Sequence, residues 1–258
     1  MSIRLVVSNI RKSYAGVPVL KDCPFTFEKD GIYVLIGPNG SGKSTFFRVC
    51  SLLEGPDSGE VNYYEDTAQT IPAGTEKSSV VREGALKKDI HLRRRISLVL
   101  PKIGVFHTTV LNNVAYGLKI RGAHKREIRK RAEHALEIVG LMHKKNMNAR
   151  ALSSGETQRL GVARAMVIEP EILFLDEPTA SLDPHSTSVI EETIQQIKKD
   201  RKITIIMTTH NVFQAQRLAD TVLFMYEGKI VEHGPKKEFF EKPKDERTLR
   251  FITGKMVY

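Results

Sequence analysis

The sequence predicts an α/β fold in which helices flank a mostly parallel β-sheet. Short apolar runs recur between helical patterns, and several of these runs lack the apolar–polar alternation of a half-exposed strand. Strands without alternation are covered on both faces, as they are in a helix-flanked parallel sheet. The predicted strands are GIYVLIG (31–37), ISLVL (96–100), EILFLD (171–176), ITIIMTT (203–209) and TVLFMYEG (221–228).

A smaller antiparallel sheet and a helical lobe complete the predicted architecture. The opening segment IRLVVSNIRKSY (3–14) alternates better, and with FTFEKD (25–30) and EVNYYE (60–65) it favours a small antiparallel β subdomain. Residues 107–153 hold mainly helical patterns and predict a helical lobe inserted between two core strands. The polar, weakly patterned residues 65–90 predict a surface hairpin or excursion.

The chain is basic, with 40 Lys+Arg against 30 Asp+Glu and a net charge of +10. This balance suits a nucleotide, a nucleic acid or an anionic membrane face, and charge alone does not choose among them. The basic stretch HKREIRKR (124–131) follows a helical pattern, so its charges are predicted on the outer face of an amphipathic helix. Neither this stretch nor LKKDIHLRRR (86–95) interleaves aromatic residues as single-strand binders do, and we expect no nucleic-acid partner.

The apolar runs and the cysteines predict a cytosolic protein. The longest runs, such as ILFL and ITIIM, are far too short to cross a bilayer. The start MSIRLVVSNIRKSY has no uninterrupted apolar core, so no secretory signal is expected. Cys23 and Cys50 lie far apart without CxxC spacing, which predicts reduced, buried thiols rather than a disulfide or a zinc site.

The string GPNGSGKST (37–45) predicts a phosphate-binding loop. It follows the strand IYVLI, opens a helical run and matches G-x-x-x-x-G-K-[ST], the pattern of P-loop NTPases with their RecA-like sheet. The glycines let the backbone curl so that its N–H groups hold phosphate oxygens. Lys43 can reach the β and γ phosphates, Ser44 offers a hydroxyl to Mg²⁺, and Thr45 offers one to an outer phosphate oxygen. The predicted nucleotide-binding residues here are Gly37, Pro38, Asn39, Gly40, Ser41, Gly42, Lys43, Ser44 and Thr45. The alternative interpretation of residues 37–45 is an ordinary glycine-rich turn that binds no phosphate.

Two carboxylates lie at the end of the strand ILFLD: Asp176 is its last residue and Glu177 follows it. Ligands of parallel sheets lie at the carboxyl ends of strands, so Asp176 is expected near the same phosphates, where it would meet Mg²⁺ through water. Glu177 precedes Pro178, which predicts an extended backbone and a side chain pointing away from that of Asp176. We predict that Glu177 is the general base or water-polarising residue. Without the phosphate loop, the same Asp-Glu-Pro turn would indicate only a solvated loop.

With LSSGETQRLGVARA (152–165), the chain resembles the ATP-binding subunits of ABC transporters from its start to about residue 235. In that family, LSGGQ of one subunit closes over the γ-phosphate of ATP held by the other. The resemblance therefore implies a homodimer on ATP binding, with Ser153 and Gly155 contacting the nucleotide. Ser153 followed by Glu156 predicts a capping box at the start of the signature helix (154–167), an N-terminus suited to anions. The alternative interpretation of this segment is a capped helix that contacts no nucleotide.

The resemblance assigns roles to three more residues. Tyr14 falls where an aromatic ring commonly stacks on adenine, although a lone tyrosine at a strand end is otherwise a packing residue. Asp183 in SLDP (181–184) matches the loop that links the two ATP sites of the family. His210 closes ITIIMTTH, where the family's histidine contacts the γ-phosphate and belongs to the catalytic set with Glu177 and Lys43. The other seven histidines are predicted at the surface.

Two positions depart from the family pattern. Pro101 follows the strand ISLVL where a glutamine is usual, and that glutamine approaches Mg²⁺ and the attacking water beside the groove where the membrane partner docks. Because proline offers no side-chain donor or acceptor, coupling and turnover are expected to differ unless a one-residue shift puts Lys102 there. Ser154 stands where glycine is usual, and we expect it to be tolerated.

The resemblance implies an ATP-hydrolysing, energy-coupling importer subunit at the inner face of the cell membrane. Its partners would be membrane permease subunits and, indirectly, an extracytoplasmic substrate-binding protein. Residues 1–235 would form the ATPase domain, and the tail, residues 236–258, looks like those of tungstate, molybdate and phosphate importer subunits, tungstate most closely. The alternative is a soluble ABC-type ATPase of iron–sulfur cluster assembly. A GTPase would need an NKxD-like motif that recognises guanine, and the sequence lacks one.

Overall fold

The structure is a computed structural model that describes residues 3–65, 85–180, 182–200 and 202–256. The predicted excursion between residues 65 and 90 lies mainly outside the described residues, as does Ser181 of the SLDP loop.

The main sheet has six strands in the order β5-β6-β7-β3-β8-β9 among the described residues. All neighbouring strands pair in parallel except β8 and β9, so the predicted mostly parallel sheet is confirmed. The strands are β3 (Ile32–Ile36), β5 (Ile96–Val99), β6 (Ile172–Asp176), β7 (Thr204–Thr209), β8 (Thr221–Tyr226) and β9 (Lys229–Pro235). The sequence did not predict β9, which pairs with β8 across a two-residue turn at Glu227 and Gly228, both with positive φ.

The antiparallel sheet has the order β2-β1-β4, with β1 at Ile3–Tyr14, β2 at Val17–Phe27 and β4 at Ser58–Glu65. It confirms the small antiparallel β subdomain. Only the end of β2 was predicted, because register shifts at its pairing with β1 break the alternation that marks a strand.

Helices lie on both faces of the main sheet. They are α1 (Lys43–Cys50), α2 (Ile90–Arg94), α3 (Val110–Ile120), α4 (Lys125–Ile138), α5 (Ser154–Met166), α6 (Pro184–Asp200), α7 (Val212–Leu218), α8 (Lys236–Glu241) and α9 (Glu246–Ile252), with 3₁₀ turns at Met142–Lys144 and Ala149–Ala151. One apolar core lies between the main sheet and helices α3–α9. A second core holds α1 and α2 between the main and antiparallel sheets.

Helix α4 has the predicted amphipathic character. Ala132, Ala135 and Leu136 are buried, whereas Lys125, Arg126 and the neighbouring basic residues are exposed. The basic stretch is therefore a solvated helix face except at Arg131, which donates a hydrogen bond to the Val167 carbonyl oxygen. No described helix has both the length and the apolar character that a membrane crossing requires.

Cys23 and Cys50 are free and buried, as the sequence predicts. Burial raises the pKa of the Cys23 thiol to about 11, so it stays protonated at neutral pH. The two thiols therefore act as small apolar side chains in the core between the sheets.

Candidate functional site

The loop of residues 37–42 joins β3 to α1 at the carboxyl edge of the main sheet. At Gly37, a Cβ atom would lie 2.1 Å from the Met225 carbonyl oxygen, so only glycine fits between the loop and β8. Gly42 is the N-cap of α1 and no side chain caps that helix start, which leaves N–H groups for a ligand. Asn39, Gly40 and Ser44 are exposed at the rim of the loop, whereas Gly37, Pro38, Ser41 and Lys43 are buried.

Lys43 is the first residue of α1, and its buried side chain contacts the loop. Its Nζ donates hydrogen bonds of 2.8 Å to each of the carbonyl oxygens of Gly37 and Pro38. Burial lowers the pKa of the Lys43 ammonium, although Glu177 and Asp176 act in the opposite direction. The charged form is therefore poorly compensated by the protein itself, and an anion placed at Nζ would stabilise it.

The loop fits a chain of phosphates. Ser41 is 3% exposed, and its Oγ has no hydrogen-bond partner among the described residues. The unpartnered Ser41 hydroxyl, the uncapped start of α1 at Gly42 and the buried Lys43 ammonium are donors on three consecutive residues. Such a donor set suits the oxygens of a triphosphate.

Asp176 ends β6 and is 3% exposed. Its Oδ1 accepts hydrogen bonds from Thr208 Oγ1 at 2.6 Å and from Ser44 Oγ at 3.4 Å. Burial raises the pKa of Asp176, and the two hydroxyls partly offset this effect. A carboxylate beside a hydroxyl is the oxygen donor set that Mg²⁺ takes with phosphates.

Glu177 and His210 form a pair at the mouth of the site. Glu177 Oε2 lies 3.3 Å from His210 Nδ1, and 59% of the His210 side chain is exposed. The prediction of an extended backbone at Glu177 is wrong, because its φ is +45°. Its N–H donates to Thr208 Oγ1 at 2.9 Å and its carbonyl accepts from Ala180 N–H, so the chain turns as soon as β6 ends. The residue before a proline favours extended backbone, and the two hydrogen bonds of this turn override that preference.

Tyr14 lies at the end of β1 and is 40% exposed. Its hydroxyl donates to Glu54 Oε2 at 2.7 Å, and Lys12 Nζ lies 5.8 Å from the ring centroid. Burial and the bond to Glu54 raise the pKa of Tyr14, whereas Thr45 of the phosphate loop lowers it. The ring therefore stands beside the end of the loop that would carry the phosphates.

Ser153, Gly155 and Asp183 form a second group around the starts of α5 and α6. Ser153 Oγ accepts from Glu156 N–H, and the Glu156 carboxylate accepts from Ser153 N–H, so the predicted capping box is present. Gly155 packs so closely on α6 that a Cβ atom would lie 2.5 Å from Ser186 Oγ. Asp183 in turn accepts from Ser186 N–H and Oγ.

The two groups are separate in one chain. Across the described ranges, no hydrogen bond or ion pair joins Ser153, Gly155 or Asp183 to the phosphate loop or to the acids after β6. Ser153 and Asp183 are also exposed. They are therefore available to a second molecule rather than to the phosphate loop of their own chain.

Pro101 lies exposed in the segment after β5. This segment borders a groove between β5, α3 and α5, lined by Leu100, Lys102, Ile103, Tyr116, Ile120 and Arg164 among others. Exposed apolar side chains gather there, including Phe106, whose ring contacts Tyr116 and the Arg164 guanidinium.

Sequence reasoning missed two contributors to the site. Thr208 forms hydrogen bonds with both Asp176 and Glu177. The Gly228 N–H donates a hydrogen bond to the Ser41 carbonyl oxygen of the phosphate loop. The only local signal for Gly228 is the Glu-Gly pair between two strands, which is a hairpin turn pattern. The Thr208 contacts depend on the pairing of β6 with β7.

The sequence model of the family described as "ABC transporter" matches residues 20–180, more than half of the chain. The chain belongs to this family. ATP-binding subunits of the ABC transporter family hydrolyse ATP for transport, so the protein is an ATPase.

Curated relatives in the ABC transporter family share about a third of their residues with this chain. A phosphate import ATP-binding protein of Natronomonas pharaonis is 35% identical, over 98% of this chain and 88% of the relative. An L-cystine import ATP-binding protein of Bacillus subtilis is 38% identical, over 95% and 91%. The ATP-binding protein of a tungstate uptake system of Peptoclostridium acidaminophilum is 36% identical, over 89% and 98%.

Solved structures of ABC ATPases have the same fold. The cbiO1 protein of Clostridium perfringens, part of the ABC transporter complex cbiONQ, superposes with a TM-score of 0.78 at 28% identity, over 97% of this chain and 95% of that one. A dimeric ATP-binding cassette in a post-hydrolysis state with ADP and Pi gives 0.74 at 25% identity, over 90% and 98%. The predicted P-loop NTPase fold is therefore confirmed.

Proposed function

We propose that two copies of this chain bind MgATP between them and hydrolyse it to drive a membrane permease of an importer. The observation that carries the proposal is the division of the site. One chain gathers the phosphate loop, Asp176 and the Glu177–His210 pair at one place and keeps Ser153 and Gly155 at another. A second copy would bring its Ser153 helix start to the exposed side of the first copy's loop.

Each residue of the proposed site has a distinct task. The loop and Lys43 hold the phosphates, and the Tyr14 ring stacks on adenine. Ser44 and Asp176 would hold Mg²⁺, which when bound neutralises charge that develops on the phosphates. Glu177 orients the attacking water and takes its proton, and His210, paired with Glu177, contacts the γ-phosphate.

Dimer formation is supported by the exposure of Ser153 and Asp183. Ser153 is exposed at the start of α5 and offers its hydroxyl to an anion, and the buried Gly155 lets this helix start pack against α6. Asp183, held by Ser186 against the same helix start, would link the two sites of the dimer. The dimeric cassette with ADP and Pi is a relative that assembles in pairs.

The permease would dock on the groove beside Pro101. Leu100, Phe106, Tyr116 and Ile120 are exposed apolar side chains around that groove, which favours an apolar partner segment. This contact would hold the chain at the inner face of the cell membrane. An extracytoplasmic binding protein would deliver the cargo to the permease.

The proposed cargo is an oxyanion such as tungstate, molybdate or phosphate. The likeness of the tail to oxyanion importer subunits supports it, and so do the phosphate and tungstate relatives. An L-cystine relative has comparable identity, so the permease and its binding protein are the components on which the cargo is tested. The permease and its binding protein identify the cargo.

Purification of the tagged chain from membranes tests the role. We expect a permease to co-purify, ATPase activity in the complex, and oxyanion binding by the associated binding protein. Recovery with a soluble iron–sulfur scaffold and no permease would instead support the cluster-assembly alternative.

Pro101→Gln is expected to change the permease-stimulated ATPase rate. The substitution supplies a side-chain amide beside the groove, at the position where the family uses a glutamine. The rate of the permease complex would be compared with that of the isolated chain for both proteins. An unchanged stimulated rate would remove position 101 from the mechanism.

A further inference from the structure

We propose that the Thr208 hydroxyl is the positioning group that sets the Asp176 carboxylate and the backbone of Glu177 in their working arrangement. The inference rests on the proposed roles of these two acids. Thr208 contacts neither phosphate nor water in that scheme and acts through the acids.

Thr208 occupies a central position in the sheet. It lies near the end of β7, between Leu35 of β3 and Asp176 of β6 in the parallel register. Strand β3 leads into the phosphate loop and β6 leads into the two acids. Thr208 is 0% exposed, so its hydroxyl must find its partners within the protein.

The hydroxyl serves both acids at once. It donates its proton to Asp176 Oδ1 at 2.6 Å and accepts the Glu177 N–H at 2.9 Å. A hydroxyl has one donor and two lone pairs, so the two bonds are compatible. The first bond fixes the direction of the carboxylate that would hold Mg²⁺. The second fixes the turn at Glu177, where φ is +45°, and thereby the place of the general base beside His210.

Only a hydroxyl can make this pair of contacts. Valine has the shape of threonine but neither donor nor acceptor, so Thr208→Val would leave the Glu177 N–H without its partner and Asp176 with one hydrogen bond fewer. Serine keeps the hydroxyl. Because no hydrogen bond between described residues joins Thr208 to Lys43 or Tyr14, the affinity for the nucleotide itself should not depend on it.

Thr208→Val is expected to lower kcat of the permease complex roughly 10- to 100-fold with little change in KM for ATP, as loss of hydrogen bonds to a charged group and a buried amide implies. Thr208→Ser should restore kcat to within about threefold. A readout independent of turnover is Mn²⁺ affinity of the ATP-bound protein, followed by electron paramagnetic resonance in the Glu177→Gln background. We expect about tenfold weaker Mn²⁺ binding with valine and recovery with serine, whereas metal-free ATP binding stays the same.

Thr204→Val is the matched control. Thr204 lies on the same strand, is also 0% exposed, and uses its Oγ1 for the Asp30 N–H at 3.2 Å, away from both acids. It should lose stability but keep kcat and Mn²⁺ affinity. If Thr208→Val does not fold, Thr208→Ala and Thr208→Ser replace it as a pair, and alanine should show the same losses relative to serine.

Equal kcat and Mn²⁺ affinity in the valine and wild-type proteins, or equal losses in Thr204→Val, would overturn the inference. In both cases an active wild-type protein would leave the proposed function intact. A wild-type protein that neither binds nor hydrolyses ATP would instead refute the proposed function.

Discussion

Lys43→Ala is expected to weaken ATP binding by roughly 100-fold or more and to abolish ATPase activity. The Lys43 ammonium is buried in the loop with carbonyl partners only, so phosphate oxygens would supply its missing counter-charge through charge-assisted hydrogen bonds. Titration with a fluorescent ATP analogue measures the affinity. The nucleotide-free protein should keep its melting temperature within a few degrees, because relief of desolvation offsets the two lost hydrogen bonds.

Lys145→Ala provides the control for this substitution. Lys145 is also partly buried and pairs with Glu133 at 3.0 Å in the helical lobe, so its loss removes a charge without touching the loop. ATP affinity should be that of the wild-type protein. If Lys43→Ala bound ATP as tightly as this control, the loop would not be the phosphate site.

Glu177→Gln is expected to reduce hydrolysis roughly 100- to 10,000-fold while ATP stays bound, because an amide cannot take a proton from water. The Glu177 side chain is 23% exposed and lies beside His210, and glutamine keeps its size and one acceptor oxygen. With hydrolysis blocked, the ATP-bound dimer should accumulate. Light scattering after gel filtration with ATP and Mg²⁺ measures the mass.

Glu192→Gln makes the same chemical change at an exposed glutamate of α6 that accepts from Ser188 Oγ. It should hydrolyse ATP at the wild-type rate and show no trapped dimer. A Glu177→Gln protein that stayed monomeric and fully active would refute the assignment of the general base.

The core strands could be predicted because their residues carry the signal locally. Strand β6 reads ILFLD and is buried throughout, so an unbroken apolar run suffices. Strands β2 and β9 are partly exposed, and β2 has irregular register with β1, so neither gives an alternating or continuous apolar pattern. Their existence depends on partners elsewhere in the chain.

The residues of the site also differ in whether the sequence alone could predict them. The phosphate loop is contiguous, and Asp176 follows from the rule that ligands gather at carboxyl ends of strands. Thr208 is separated from Asp176 by 32 residues and joins it only through the register of β6 and β7. The turn at Glu177 was mispredicted because its N–H partner is this same distant hydroxyl.

A crystal structure of the Glu177→Gln protein with ATP and Mg²⁺ tests the central claim most directly. The account predicts a dimer with two ATP molecules, each with its triphosphate in the loop of residues 37–45 of one copy and against Ser153 of the other. A triphosphate held by one copy alone, with Ser153 of the second copy away from it, would contradict the account.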